Sequence, residues 1–177
     1  MNQSLKAEHL YVEEVTTLSQ KSFLADEVFH LLQEAYQSVK GGLHFKDADD
    51  LLCHTSLWRI IYFEETIVGV VVYKAKRGLK MVALGLATMN QSINSYTKSL
   101  LAHLFRLTFQ NTWMEVSEGA ERFIVKHGGS RYFVSNRLAQ TLTGKEIVSL
   151  CDDGYHYERM INGVLKRKVI IGHPKGY

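Results

Sequence analysis

The sequence predicts one α/β domain built on a mixed sheet with helices packed against its faces. Three observations carry that expectation. Stretches with helical spacing of apolar residues alternate along the chain with β-branched and aromatic runs. Two of those runs flank Asn162-Gly163, whose readiness for positive φ is a strong hairpin signal. The 177 residues, 46% of them hydrophobic with a single proline, suffice for one packed core and fall short of needing two. Residues 1–177 are therefore read as a single domain.

The first helix is predicted over residues 23–39, where Val28, Leu31, Leu32, Ala35 and Val39 recur at spacings of three and four. It should stop at Gly41-Gly42, where glycine accepts the left-handed cap. A short helix is predicted over residues 47–53, because acidic side chains crowd its first turn at the positive end of the helix dipole. The loop between the two carries His44 and Phe45. Residues 58–63 and 67–73 are rich in β-branched and aromatic side chains, and the short link between them makes an antiparallel hairpin. A basic link containing Gly78 leads into a third strand over residues 81–86, completing a meander.

Asn90 to Asn94 offer cap-forming side chains to a long helix that starts near Ser95, with Leu100, Leu101, Leu104 and Phe105 as its apolar stripe. A strand over residues 112–117 follows, then a helix over residues 118–126 stopped by Gly128-Gly129. Residues 130–144 read as an insertion with two helical turns over 137–142, closed by Gly144. The chain ends in a hairpin of residues 155–161 and 164–171.

Composition narrows the function classes. There is no run of about 18 apolar residues and no hydrophobic signal core over residues 1–20, which predicts a soluble cytoplasmic protein without a membrane span. Cys53 and Cys151 are too few for a disulfide-stapled scaffold. The net charge of +3 is mild, and the clusters Lys74-Lys76-Arg77-Lys80 and Lys166-Arg167-Lys168 are too short to demand nucleic acid. They suit a small phosphorylated ligand or a solvated strand end. The eight histidines and two cysteines show no His-Glu-x-x-His or Cys-x-x-Cys spacing, so no metal is expected.

The element order, with the strand 81–86 feeding a polar loop and then a long helix, resembles the GNAT superfamily of acyl-CoA N-acyltransferases over nearly the whole chain. The resemblance implies a mixed, mostly antiparallel sheet with helices on both faces. It also implies acetyl-CoA or another acyl-CoA as cosubstrate, held by backbone N–H groups at the loop and helix start. The family's loop pattern is Gln or Arg, two residues, Gly, any residue, then Gly or Ala. Ser92, Ser95 and Thr97 fall at those positions, so both glycines are replaced and Cβ atoms stand where close backbone approach is wanted. The implied cosubstrate-binding residues are Leu86, Ala87, Ser92, Asn94, Ser95, Tyr96 and Thr97. A second signature is an Asn, then an Ala, then a Tyr four residues on, then a Gly-Phe pair. It is matched only by Ser117, Ala120, Ile124 and Gly128-Gly129, so the usual tyrosine acid is missing.

Transfer to an amine needs a base to keep the attacking nitrogen neutral, an oxyanion donor and an acid for the leaving sulfur. The oxyanion donor is expected among the backbone N–H groups near Leu86 or Ala87. Glu115 is the candidate base, because a carboxylate inside an apolar strand needs a reason; pairing with Arg122 or Lys126 is the structural alternative. Tyr155 and Tyr157, on one face of a predicted strand, are candidate acids or the lining of an acyl tunnel, and water is a third route. By the resemblance, His44 and Phe45 border the acceptor, a small-molecule or protein amine, and a homodimer is compatible. The competing reading is a catalytically inactive binding protein of the same shape with a protein or nucleic-acid partner.

Overall fold

The computed structural model describes residues 9–37, 42–87, 108, 112–118, 131–133, 136–144, 149–150, 157–161, 163–166 and 168–172. In chain order they form β1 (Leu10–Val15), α1 (Leu18–Ala35), α2 (Ala48–Cys53), β2 (Leu57–Phe63), β3 (Thr66–Ala75), β4 (Leu79–Leu86) and β5 (Thr112–Val116). There follow β6 (Arg131–Phe133), α3 (Asn136–Thr143), β7 (Ser149–Leu150), β8 (Tyr157–Ile161), β9 (Val164–Lys166) and β10 (Lys168–Gly172). Seven strands make one sheet in the order β1-β2-β3-β4-β5-β10-β6. Every pair in it is antiparallel except β4 with β5. The mixed, mostly antiparallel sheet is as predicted.

Local chemistry sets most boundaries. Thr17 caps α1 by accepting the Gln20 N–H at 3.2 Å, so the helix begins before the predicted residue 23. It closes at Ala35 with Tyr36 as the cap residue, short of Gly41-Gly42. Asp47 caps α2 by accepting the Asp50 N–H at 2.7 Å, and Asp50 returns the contact to the Lys46 N–H at 2.9 Å. The predicted meander is present as β2, β3 and β4. From Ile67 to Tyr73 the central strand is buried on both faces, which is why it reads as an unbroken apolar run.

The apolar side chains split into two layers. On one face α1 and α2 bring Val28, Leu32 and Leu51 against Trp58, Ile60, Val70 and Val72. The opposite face gathers Ile61, Val68, Val71, Tyr73, Met114 and Val116. There the carbonyl of Thr108, a helical residue, accepts from the Tyr73 hydroxyl and, at 2.7 Å, from Arg59 Nη1, whose Nε holds Glu14 at 2.9 Å. Burial pushes the Tyr73 phenol up to about 12, with Arg59 drawing it partly back. Because Arg59 still serves the carbonyl, Tyr73→Phe is expected to lower stability by only about 1 kcal/mol. A shifted urea midpoint with an unchanged slope would register it.

One element was not predicted and two expectations need correction. Leu10–Val15, to which no element was assigned, is an edge strand paired with β2 from Leu10↔Phe63 to Val15↔Trp58. Residues 131–133 are not part of an insertion but the far edge strand of the main sheet, paired with β10. The stretch from α3 to β9, which holds a second sheet of order β7-β8-β9, lies between β6 and β10 of the main sheet in the chain. The terminal hairpin forms at Gly163 (φ 73), but only Val164–Lys166 pairs with β8. Lys168–Gly172 leaves to join the main sheet. The predicted long helix from near Ser95 through Phe105 and the helix over 118–126 lie outside the described residues, apart from Glu118. Among the described residues no helix is long and apolar enough to cross a membrane.

Candidate active site

The parallel pair is where the sheet opens. β4 and β5 are in register only at Leu79↔Thr112 and Lys80↔Trp113, and the Trp113 indole N–H fastens that end by donating to the Lys76 carbonyl at 2.9 Å. From Met81 to Leu86, β4 has no ladder to β5. Antiparallel pairing alternates hydrogen-bonded and non-bonded residue pairs. The Ala87 N–H donates to the Val68 carbonyl at 2.8 Å, so the neighbouring pair Gly69↔Leu86 is a non-bonded one. The N–H groups of Leu86 and, two residues back, Leu84 therefore point away from β3, into the opening.

One of these amides is already met. Leu84 N–H donates to the Tyr36 hydroxyl at 3.2 Å. The tyrosine reaches it because α1 lies directly on β4 at Gly85, where an added Cβ would stand 3.1 Å from Leu31 and Leu32 side-chain carbons and 3.3 Å from Ala35 Cβ. Glycine at 85 lets the last turns of α1 settle on the strand, and the next residue delivers its phenol to the strand edge. Burial raises the Tyr36 phenol above its usual value, the Leu84 bond opposing, so the hydroxyl stays protonated. Tyr36 also lines a hollow of about 620 Å³ with Phe29, Gln33, Leu43 and Phe45, between the end of α1 and the loop before α2.

Deeper in the opening Glu115, buried on β5, is bound by Lys80 with Nζ–Oε2 of 2.6 Å. Lys80 stands in the second of the parallel ladder's two pairs, near the start of β4; Arg122 and Lys126, the partners suggested by the sequence, lie outside the described residues. Lys80 also lies over the Trp113 ring, 4.9 Å from its centroid. Lys74 is directly opposite Lys80 in the β3–β4 register and sits 5.9 Å over the buried Phe45 ring. His44 packs edge-on against Phe45 at 5.9 Å. Burial lowers the His44 imidazole below its usual value; Lys74, Lys80 and Lys166 push it the same way, while Asp50 pulls it up. Lys166, half-buried at the end of β9, is lowered by burial and Lys80 and raised by Glu115.

Of the residues the sequence singled out, Leu86 and Ala87 stand at the open end of β4, and Glu115, His44 and Phe45 fall on the α1/α2 face of the opening. The Ala87 N–H is engaged by Val68. Tyr157 lies in β8. Tyr155, Ser92, Asn94, Ser95, Tyr96 and Thr97 lie outside the described residues. Sequence reasoning missed Tyr36. It is one residue past Ala35 on the helix's apolar face and carried no signal beyond that spacing.

No protein-family model matches the chain, and no curated protein matches it. The chain is similar to solved structures of an acyl-CoA N-acyltransferase from Pseudomonas aeruginosa (7% identity, 92% of this chain and 99% of the other, TM-score 0.45) and an N-acetyltransferase from Staphylococcus aureus Mu50 (11%, 94% and 98%, 0.44). It is also similar to an IAA acetyltransferase from Bacillus cereus ATCC 14579 (12%, 91% and 95%, 0.41).

Proposed function

We propose that the protein is an acyl-CoA-dependent N-acyltransferase in which an amine attacks the thioester directly at the opening between β4 and β5. The observation that carries this reading is the short parallel ladder, which leaves the Leu86 N–H facing a space with no strand opposite among the described residues. An amide fixed in that way is a preorganised donor for a carbonyl oxygen that gains charge in the transition state. Acyl-CoA supplies the activated acyl group. Ser92, Asn94, Ser95, Tyr96 and Thr97, in the loop after β4, would hold its pyrophosphate, and Ala87 would pack beside it.

The acceptor enters from the α1/α2 side, past His44 and Phe45. The Tyr36 hydroxyl orients its nitrogen, and Glu115 takes the proton released as the C–N bond forms. As the C–S bond breaks, the departing sulfur is protonated by Tyr155 or Tyr157. The protein so acts as a single domain. Calorimetry with acetyl-CoA and longer acyl-CoAs tests this reading, with affinity expected between about 1 μM and 1 mM. Absence of heat at millimolar ligand would remove it. Binding without thiol release for any amine would leave a binding protein of this shape.

A further inference from the structure

β1 is one edge of the main sheet, and among the described residues no strand pairs with its outer side. The Glu64 N–H donates to the His9 carbonyl at 2.9 Å, so the next pair, Leu10↔Phe63, is a non-bonded one. By alternation Val12↔Ile61 and Glu14↔Arg59 are non-bonded too, and the N–H and C=O groups of Leu10, Val12 and Glu14 point away from β2 along the edge. Natural edges are blunted by lysine, proline, a bulge or shortness. The opposite edge, β6, has only three residues and begins on Arg131. β1 has six, with no lysine, no proline and an unshifted register. Apolar surface gathers here as well. Tyr11 stacks on Tyr62 with ring centroids 5.0 Å apart. Of the four large apolar side chains exposed among the described residues, three belong to β1 and α1: Tyr11, Leu18 and Phe23, the last 89% exposed. Burial raises the Tyr62 phenol, and Glu13, Tyr11 and Glu27 add to it, so the side of α1 carrying Glu27, one turn after Phe23, runs above this edge.

We infer that two copies of the chain associate edge to edge through β1, antiparallel about a two-fold axis at Val12. The strand itself selects a second copy as occupant and fixes the register. With Val12 facing Val12 and Leu10 facing Glu14, all the outward residues of both strands become hydrogen-bonded pairs. Tyr11 then lies opposite Glu13 of the second copy, and no acid has a like charge directly across from it. Sliding two residues one way sets Glu13 against Glu13; sliding the other way carries Glu14 past the end of β1. β2 and β3 separate this edge from the opening between β4 and β5, so the association stands apart from the acyl-transfer reading.

A single strand pair makes a small interface, so association should depend on concentration. Sedimentation of the whole protein over a dilution series is expected to show a dimer giving way to monomer. Val12→Pro deletes a central outward N–H and spares the bonds to β2, the placement in which a strand tolerates proline. It should abolish the dimer and leave the far-UV circular dichroism unchanged. Tyr11→Glu, at an exposed position, sets carboxylates opposite one another and should weaken association about tenfold, an effect that added salt relieves. In a background of Cys53→Ser and Cys151→Ser, a mixture of Tyr11→Cys and Glu13→Cys proteins should crosslink on oxidation in excess of either alone. The two positions form a non-bonded pair with Cα atoms about 4.5 Å apart, within disulfide reach. A monomer up to about 1 mM protein, a dimer indifferent to both Val12→Pro and Tyr11→Glu, or no excess crosslink in the mixture would overturn the inference.

Discussion

Replacing Glu115 by glutamine is expected to reduce turnover about 10²–10⁴-fold, the usual contribution of a positioned base. The same change should cost about 3–5 kcal/mol of stability, because it leaves the largely buried Lys80 ammonium without its carboxylate. The two losses have different origins and can be separated. In the double variant Glu115→Leu with Lys80→Met both charges are gone, and a buried ion pair exchanged for apolar side chains is often neutral in stability. Denaturant midpoints should return close to the parent while thiol release stays at the level of the single variant. Recovery of turnover in the double variant would strip Glu115 of any chemical role.

Tyr36→Phe keeps the ring that packs at the end of α1 and deletes only the oxygen. Turnover is expected to fall about 10²-fold through misplacement of the acceptor nitrogen. Acyl-CoA affinity, measured by calorimetry, should not move, because the Leu86 amide and the loop after β4 are untouched. Orphaning the Leu84 N–H should cost about 1–3 kcal/mol of stability. A variant that loses stability but keeps its full kcat would reduce Tyr36 to a plug for a stray backbone donor.

How much of this was legible beforehand depended on whether the cause was local. Asp47 and the acidic first turn gave α2 to within a residue, since a capping side chain acts on amides two or three positions away. The β2–β3–β4 meander followed from β-branched runs divided by short polar links. β1 escaped because Glu13 and Glu14, exposed on opposite faces of an edge strand, break the apolar alternation; its pairing with β2 is a tertiary fact. The hairpin at Gly163 was legible and the departure of Lys168–Gly172 was not, because the basic triplet at residues 166–168, where the chain changes sheets, reads equally well as a solvated part of one continuous strand. At the site, Glu115 stood out as a charge in an apolar strand, whereas its partner Lys80 looked like one more member of a basic turn. Tyr36 acquires meaning only from a glycine 49 positions later that lets α1 lie against β4.

The placement of β10 between β5 and β6 divides the molecule into two blocks with different histories. Strands β1 to β4 are neighbours in space in the order they occur in the chain, so that half can assemble as it leaves the ribosome. The other half cannot close until its middle member, the last strand to be made, slots between two that preceded it. The seam between the early and late blocks runs along β4 and β5, fastened at one end by two residue pairs and the Trp113 indole. An opening laid along such a seam is expected to form late in folding, and a chain cut before β10 should leave β5 without its antiparallel neighbour.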